Sequence, residues 1–170
     1  MNNHNLIYDG NKLFSFGDNY YGQLGLGDNI KKIVPTLVMT DKTIRQIICG
    51  GHHTLIFKES GELFAFGCNN YGQLGLCDND SINIPKLVMT DKSIHEIICG
   101  TYHTLILKES GELFTSGSNF DDQLGLDDND HRNVSTLLMT NDNIISINGR
   151  SIKKIKWNSD KYHYLSKQKN

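Results

Sequence analysis

The stretch Tyr21-Gly22-Gln23-Leu24-Gly25-Leu26 recurs unchanged 50 positions later as Tyr71-Gly72-Gln73-Leu74-Gly75-Leu76, and a third, altered copy reads Asp121-Asp122-Gln123-Leu124-Gly125-Leu126. A fixed period of this length indicates one supersecondary unit copied in tandem, because such units bury their apolar faces against their neighbours. The sequence therefore predicts a repeat array, which offers surfaces for binding more often than a catalytic pocket.

The alignment of the copies sets the limits of the array. Residues 12–61 and 62–111 share 33 identities in 50 positions without a gap, and residues 62–111 and 112–161 share 18. All 18 lie at or before Ile147. We therefore predict a repeat array over residues 1–149, with copies at about 12–61, 62–111 and 112–147, and a divergent segment at 150–170.

Each copy has the pattern of four short strands and no helical periodicity. In the first two copies the strands are expected at 12–17, 35–39, 44–49 and 53–58, and at the same positions plus 50. They are rich in aromatic and β-branched residues and end at Gly or at Asp-Lys turns, and Ser60-Gly61 and Ser110-Gly111 are typical of hairpin turns.

Repeated groups of four short strands predict the blades of a β-propeller. The expected fold is all-β: a partial or open propeller of four-stranded antiparallel blades, about 3 to 3.5 in number. One phasing treats residues 68–83 as the crossing between blades, with a half-blade at 6–17 and blades at 34–67, 84–117 and 134–166. Other phasings remain open.

Two separated motifs carry a family resemblance. One runs Leu-Phe-x-Phe-Gly-x-Asn-x-Tyr-Gly-Gln-Leu-Gly-Leu, and the other is Gly-x-x-His-Thr at residues 50–54 and 100–104. Together they resemble the regulator of chromosome condensation repeat family over residues 6–147. The resemblance implies a seven-bladed propeller, of which this chain has material for about half. The third copy departs from the pattern, with Asp121-Asp122 for Tyr-Gly, Ser135 for Pro and no Gly-x-x-His element.

We predict structural roles for the repeated motif positions. Each Gly-x-x-Gly lies between strands, without the helix N-terminus that a phosphate loop needs, so turns and close blade packing explain the glycines better. The motif histidines are expected to be buried and bonded to backbone between blades. These structural residues are Gly17, Gly22, Gln23, Leu24, Gly25, Gly50, His53, Thr54, Gly67, Gly72, Gln73, Leu74, Gly75, Gly100, His103 and Thr104.

No residue pattern points to catalysis, a metal or a cofactor. Cys68 and Cys77 are nine positions apart, outside the spacing of common zinc pairs. The chain has no pairing of a nucleophile with a base that the sequence would place together, and no cofactor fingerprint. We expect a protein that is not an enzyme and holds no cofactor.

The densest acidic stretch is the candidate partner site. Asp121, Asp122, Asp127, Asp128 and Asp130 lie in one loop that lacks the glycine and the distal glutamate of a calcium loop. Such a run is most often a solvated loop. The functional alternative is a basic protein docking where the loops of the blades gather.

Charge is divided unevenly along the chain. The formal net charge is −2, but residues 1–149 carry 10 Lys and Arg against 18 Asp and Glu, whereas residues 150–170 carry seven against one. The basic segment, with Lys153, Lys154 and Trp157, is the one candidate for nucleic-acid contact. The alternative, which we favour, is that the segment forms the last strands or a cap with a charged edge.

Neither a signal peptide nor an apolar run long enough for a membrane span is present in the sequence, so we expect an intracellular protein, cytoplasmic or nuclear and not secreted. The leading hypothesis is a non-catalytic protein–protein interaction module. The alternatives are a guanine-nucleotide exchange regulator of a small GTPase, as the resemblance suggests, and a truncated remnant without independent activity. Open blade edges also allow self-association.

Overall fold

Strands account for all the regular secondary structure in the described residues. The computed structural model describes residues 4–140 in full and the backbone of residues 152–157 and 161–166. The strands are β1 (His4–Tyr8), β2 (Lys12–Gly17), β3 (Lys32–Thr40), β4 (Ile44–Cys49), β5 (His53–Lys58), β6 (Glu62–Gly67), β7 (Ile82–Thr90), β8 (Ile94–Cys99), β9 (His103–Lys108), β10 (Glu112–Gly117), β11 (Arg132–Thr140), β12 (Ile152–Trp157) and β13 (Lys161–Ser166).

The strands form consecutive antiparallel sheets, which confirms the predicted fold class. The first sheet has the order β1-β2-β3, the second β4-β5-β6-β7 and the third β8-β9-β10-β11. Strand β4 contacts β8 of the next sheet, and the Gln46 side-chain amide donates to the Ile97 carbonyl at 3.4 Å. The sheets therefore stack side by side as propeller blades do.

The phasing that treats residues 68–83 as the crossing between blades is wrong. Residues 68–81 join β6 to β7 within the second sheet, where Leu63 is paired with Met89, and the crossings between sheets are the short turns 41–43 and 91–93. Pro35 and Pro85 lie in the last strand of their sheets, at an edge where a missing N–H is tolerated. An edge strand can be first or last, so the proline left the phase undecided.

The apolar core lies between the sheets. One cluster joins Leu13 of the first sheet to Ile56 and Phe66 of the second, and another joins Leu63 of the second sheet to Ile106 of the third. All five side chains are at most 4% exposed. Each contributes about 1.5–3 kcal/mol by burial, so each sheet depends on its neighbour for stability.

The long loops gather at one end of the sheets. We call residues 18–31 loop 1, 68–81 loop 2 and 118–131 loop 3. Gly67 is paired with both His53 and Ile82, which places loop 2 beside the short Gly51-His52 connection. The hairpin turns at 59–61 and 109–111 lie at the opposite end. The repeat thus presents all its long loops on one surface.

The basic segment contains a hairpin in which β12 pairs with β13 in antiparallel register. Its side chains, like residues 1–3, 141–151, 158–160 and 167–170, lie outside the described part of the chain. The interpretations of Lys153, Lys154 and Trp157, and of the segment as a cap, therefore remain predictions. Over the described residues, no helix is long and apolar enough to cross a membrane.

Candidate functional site

The histidine and threonine of the second motif connect neighbouring sheets. The His53 Nε2 atom lies 3.2 Å from the Thr104 hydroxyl, which donates to the Gln73 carbonyl at 2.7 Å. The single hydroxyl proton goes to the carbonyl, so the imidazole must donate through its Nε2–H. The motif histidine bonds a side chain of the next sheet, and the backbone contact that we expected is made by the threonine.

A third histidine joins this arrangement from outside the motif. His4 Nε2 lies 2.9 Å from the Thr54 hydroxyl, which donates to the Gln23 carbonyl at 2.9 Å. We call His4, Thr54, His53, Thr104 and His103 the histidine–threonine ladder. Alignment by the 50-residue period missed His4 because it precedes His53 by 49 positions and is followed by asparagine.

The ladder is uncharged at neutral pH. Burial lowers the pKa of His4 and of His103 to about 4 and, with the neighbouring histidines, that of His53 to about 3. His4 and His53, which are neutral and donate through Nε2, join neighbouring sheets by hydrogen bonds, whereas the buried Nε2 of His103 has no partner in the described residues. His4 and His53 contact threonine hydroxyls whose protons go to backbone carbonyls, so this position between the sheets suits a structural role.

The motif glycines lie where two parts of the chain approach closely. A Cβ atom on Gly50 or Gly100 would lie within 2.4 Å of the ring of His53 or His103. Gly22 and Gly72 have a φ of 80° and rest against the outer strand of the next sheet. Gln23, Leu24, Gln73 and Leu74 are buried beneath their loops, Gly17 and Gly67 end β2 and β6, and Gly25 and Gly75 lie against Phe66 and Ser135.

An asparagine in each loop, which we had not singled out, stiffens that loop. In loop 1 the Asn19 amide donates to the Asp28 carbonyl at 2.9 Å, and its oxygen accepts the Leu24 N–H at 2.9 Å. Asn69 and Asn119 make the equivalent bonds in loops 2 and 3. Asparagine at this position in all three copies was the available sequence signal. The loops are therefore rigid supports for their outer side chains.

Loop 3 separates the acidic candidates by role. The Asp128 carboxylate accepts from Arg132 and from the Asp130 N–H, and these bonds lower the pKa of that carboxyl. Asp128 thus shapes the loop, as Asp28 does in loop 1 through Ile30 N–H and Lys32. Asp121, Asp122, Asp127 and Asp130 are exposed, and their role in binding stays a prediction.

The loop surface carries a continuous row of rings that the sequence analysis did not identify. We call it the aromatic stripe: Tyr20, Tyr21, His52, Tyr102, Tyr71, Phe120 and His131. Adjacent ring centroids lie 4.3–5.6 Å apart along its whole length. Tyr20 is 74% exposed at one end and Phe120 64% exposed near the other. The rings come from five separate connections, so only folding brings them together.

The aromatic stripe lies on an acidic surface. Residues 18–32, 50–52, 68–82, 100–102 and 118–132 carry nine Asp against three Lys and Arg. Lys32 and Arg132 are already paired with Asp28 and Asp128. The turns at the opposite end, residues 9–12, 41–43, 58–62, 91–93 and 108–112, are nearly balanced, with seven acidic against five basic residues.

Comparison with known proteins gives the family. A model described as the "Regulator of chromosome condensation (RCC1) repeat" matches residues 10–57 and 60–107, and a second model of the same description matches 44–73 and 94–123. The first model alone spans more than half of the chain. The chain belongs to the regulator of chromosome condensation repeat family. The resemblance read from the two motifs is thereby confirmed.

The curated relatives match over a short part of this RCC1-repeat chain. It is 36% identical over 58 residues to the X-linked retinitis pigmentosa GTPase regulator of Mus musculus and 39% identical over 61 residues to that of Homo sapiens. The aligned parts make up 33% and 34% of this chain and 6% of each relative. The chain therefore spans only a small fraction of the relatives that it matches.

Solved structures show the same fold. Prp20p of Saccharomyces cerevisiae, in a study of its binding to Gsp1p and histones, superposes with a TM-score of 0.72 at 21% identity, over 81% of this chain and 36% of that one. Human WBSCR16 gives 0.68 at 23% identity, over 81% and 38%. The chain thus spans about a third of these structures.

Proposed function

We propose that this RCC1-repeat chain is a non-catalytic protein-interaction module whose docking surface is the aromatic stripe. The observation that carries the proposal is the continuous row of rings, exposed at Tyr20 and Phe120, across all three long loops. Tyrosine and other aromatic side chains dominate the binding energy of protein interfaces because they bury a large area at a small entropic cost.

The rigidity of the surface supports the same function. Binding residues commonly lie on loops that a rigid scaffold positions. Here the sheets supply the scaffold, and Asn19, Asn69 and Asn119 brace the loops from within. A preorganised surface loses little conformational entropy when a partner binds, so more of the contact energy appears as affinity.

A quantitative pull-down tests the proposal. We expect the Tyr20→Ala/Phe120→Ala double variant to capture at least about tenfold less of the partner than the wild type, because truncation of interface hot spots costs about 2 kcal/mol or more. The matched control is Leu37→Ala/Leu87→Ala, which removes two apolar side chains that are 47% and 45% exposed on the outer strands. Equal capture by both double variants would show that the stripe is not the docking surface.

A second candidate function is guanine-nucleotide exchange on a small GTPase. It is favoured by the structural likeness to Prp20p, a protein whose study describes binding to Gsp1p. Against it, loops 1, 2 and 3 are equal in length, so the described repeats leave no room for an inserted catalytic element. Release of a fluorescent GDP analogue from a panel of small GTPases decides between the two, and stimulation of any of them favours exchange.

A further inference from the structure

Each of the first two loops closes on the next sheet through a glycine. A Cβ atom on Gly22 would lie 2.5 Å from the Asn83 Cα atom, and one on Gly72 would lie 2.2 Å from the Asn133 Cα atom. The neighbouring backbone is hydrogen-bonded there, from the Gly27 N–H to the Asn83 carbonyl at 2.8 Å. Both distances are far below van der Waals contact with backbone that cannot move aside. A side chain at this position therefore forces the loop or the following sheet to shift, at a cost in stability.

Loop 3 has Asp122 at the same position. This residue keeps a left-handed φ of 55°, as the glycines do, but it carries a side chain and is exposed. A fourth sheet seated like the second and third would overlap its Cβ atom. The same overlap excludes a second copy of the chain docked head to tail, with its β3 strand against loop 3. A further sheet therefore could not sit on loop 3 in the way that the second and third sheets sit on loops 1 and 2 unless the loop shifted.

The rings at that end form a compact group around Tyr71. The Tyr71 ring meets Phe120 at 5.6 Å and His131 at 5.0 Å, and Phe120 meets His131 at 4.3 Å, all edge to face. Phe120 keeps 64% of its surface exposed although it is the most apolar residue of the group. Exposed carboxylates of Asp121 and Asp122 follow it directly in the chain. An aromatic face beside carboxylates suits a cationic side chain.

We propose that the loop 3 end of the aromatic stripe, formed by Tyr71, Phe120 and His131 with Asp121 and Asp122, binds an arginine- or lysine-rich segment of a partner protein. The inference rests on the proposed function and names the chemistry of the partner. The rings supply the contact surface of the site. Charge complementarity favours a basic partner, because the loop surface has nine acidic against three basic residues. A guanidinium or ammonium group stacks on Phe120 while the carboxylates neutralise its charge.

Fluorescence anisotropy with a labelled octa-arginine peptide tests the inference. We expect binding by the wild type and none of a labelled octa-glutamate peptide. Phe120→Ala should weaken octa-arginine binding about two- to fivefold, the range of an exposed cation–π contact. Asp121→Asn/Asp122→Asn should weaken it about fivefold, since two surface charge pairs are lost while asparagine still tolerates the left-handed backbone.

Matched variants keep these results specific. Glu59→Gln/Glu109→Gln removes two exposed carboxylates from the opposite end of the sheets and should leave the affinity unchanged. Phe120→Leu keeps an apolar side chain without the ring face and should bind as weakly as Phe120→Ala. If Glu59→Gln/Glu109→Gln weakens octa-arginine binding as much as the loop 3 pair does, the attraction is non-specific. If Phe120→Leu binds the peptide as tightly as the wild type, the ring makes no cation–π contact. Either result overturns the site.

The remaining outcomes separate this inference from the proposed function. If Tyr20→Ala/Phe120→Ala loses the partner in the pull-down but the loop 3 variants bind octa-arginine like the wild type, the aromatic stripe is the docking surface and a basic segment is not its occupant. If neither assay responds, both fail. The wild type and Ile33→Ser should bind octa-arginine with equal affinity, and tighter binding by Ile33→Ser would show that a second copy docks on loop 3 through its β3 strand and competes with the peptide.

Discussion

The three copies have different residues at positions 18, 68 and 118, the position that supplies a hydrogen-bond acceptor to the loop glutamine in loops 1 and 3. The Gln23 amide nitrogen of loop 1 donates to Asp18 at 2.9 Å, and the Gln123 nitrogen of loop 3 donates to the Ser118 hydroxyl at 3.1 Å. Loop 2 has Cys68 at this position, and the Gln73 nitrogen is buried without a hydrogen-bond partner. Cys68→Ser should supply the missing acceptor.

The magnitude follows from the burial of both groups. Gln73 is 0% exposed and Cys68 1%, so bulk water does not reach the amide. An unpaired buried donor costs about 1–3 kcal/mol, and a hydrogen bond contributes about 1 kcal/mol net. The apolar burial lost with the sulfur offsets part of the gain. We expect the free energy of unfolding to rise by about 1 kcal/mol, which raises the Tm by about 2–4 °C in a chain of this size.

Urea unfolding followed by circular dichroism measures the change, with thermal unfolding as a second readout. Cys77→Ser, at an exposed position of the same loop, is the matched control and should be neutral. The gain should also vanish in a Gln73→Leu background, since no donor remains. A neutral or destabilising Cys68→Ser, or a gain that persists in that background, would refute the hydrogen-bond argument.

Three further predictions test the sheet contacts. Gly72→Asp should destabilise the fold by at least about 3 kcal/mol in urea unfolding, because its Cβ overlaps Asn133 backbone, whereas Asp122→Gly should change the stability by no more than about 1 kcal/mol. Similar effects of the two changes would contradict the seating of the loops. Cys77→Gly should stabilise by about 1 kcal/mol, because this non-glycine residue has a φ of 65°, and a loss of stability would show that its side chain packs usefully. The stability should fall from pH 6.5 toward pH 4 by a few kcal/mol, roughly, because burial lowers the pKa of the ladder histidines and the unfolded chain takes up protons first. The stability is therefore full above about pH 6.5, the pKa of an unfolded histidine, and is lost as the pH falls toward the depressed pKa values of the folded state. A flat urea midpoint between pH 7 and 5, or a slope that His4→Gln leaves unchanged, would contradict this.

Much of the fold could be predicted from local sequence. The strands, the hairpin turns and the repeat period each depend on residues within a few positions of one another, such as Ser60-Gly61 in its turn. Gln23 and His53 are both buried, and the structural role that their recurrence predicts stays a prediction. The phase of the blades could not be predicted, because the pairing of the edge strand that contains Pro85 depends on residues far from it in the sequence. His4 escaped because its hairpin is one residue shorter.

The candidate surface was predicted less well for the same physical reason. The acidic run of loop 3 was identified because its residues are adjacent in the sequence, yet Asp128 serves the loop itself. The rings of the aromatic stripe come from connections about 30 to 50 residues apart, and no local pattern joins Tyr21 to His52 or Tyr71 to Tyr102.

The sequence by itself determined that this protein is a β-repeat array of the regulator of chromosome condensation type, because repetition and alternation are properties of neighbouring residues. The tertiary structure alone decided which strands share a sheet, which glycines seat a following sheet and which rings form one surface. Those outcomes depend on contacts between residues far apart in the chain, such as the close approach of Gly72 to the backbone of Asn133.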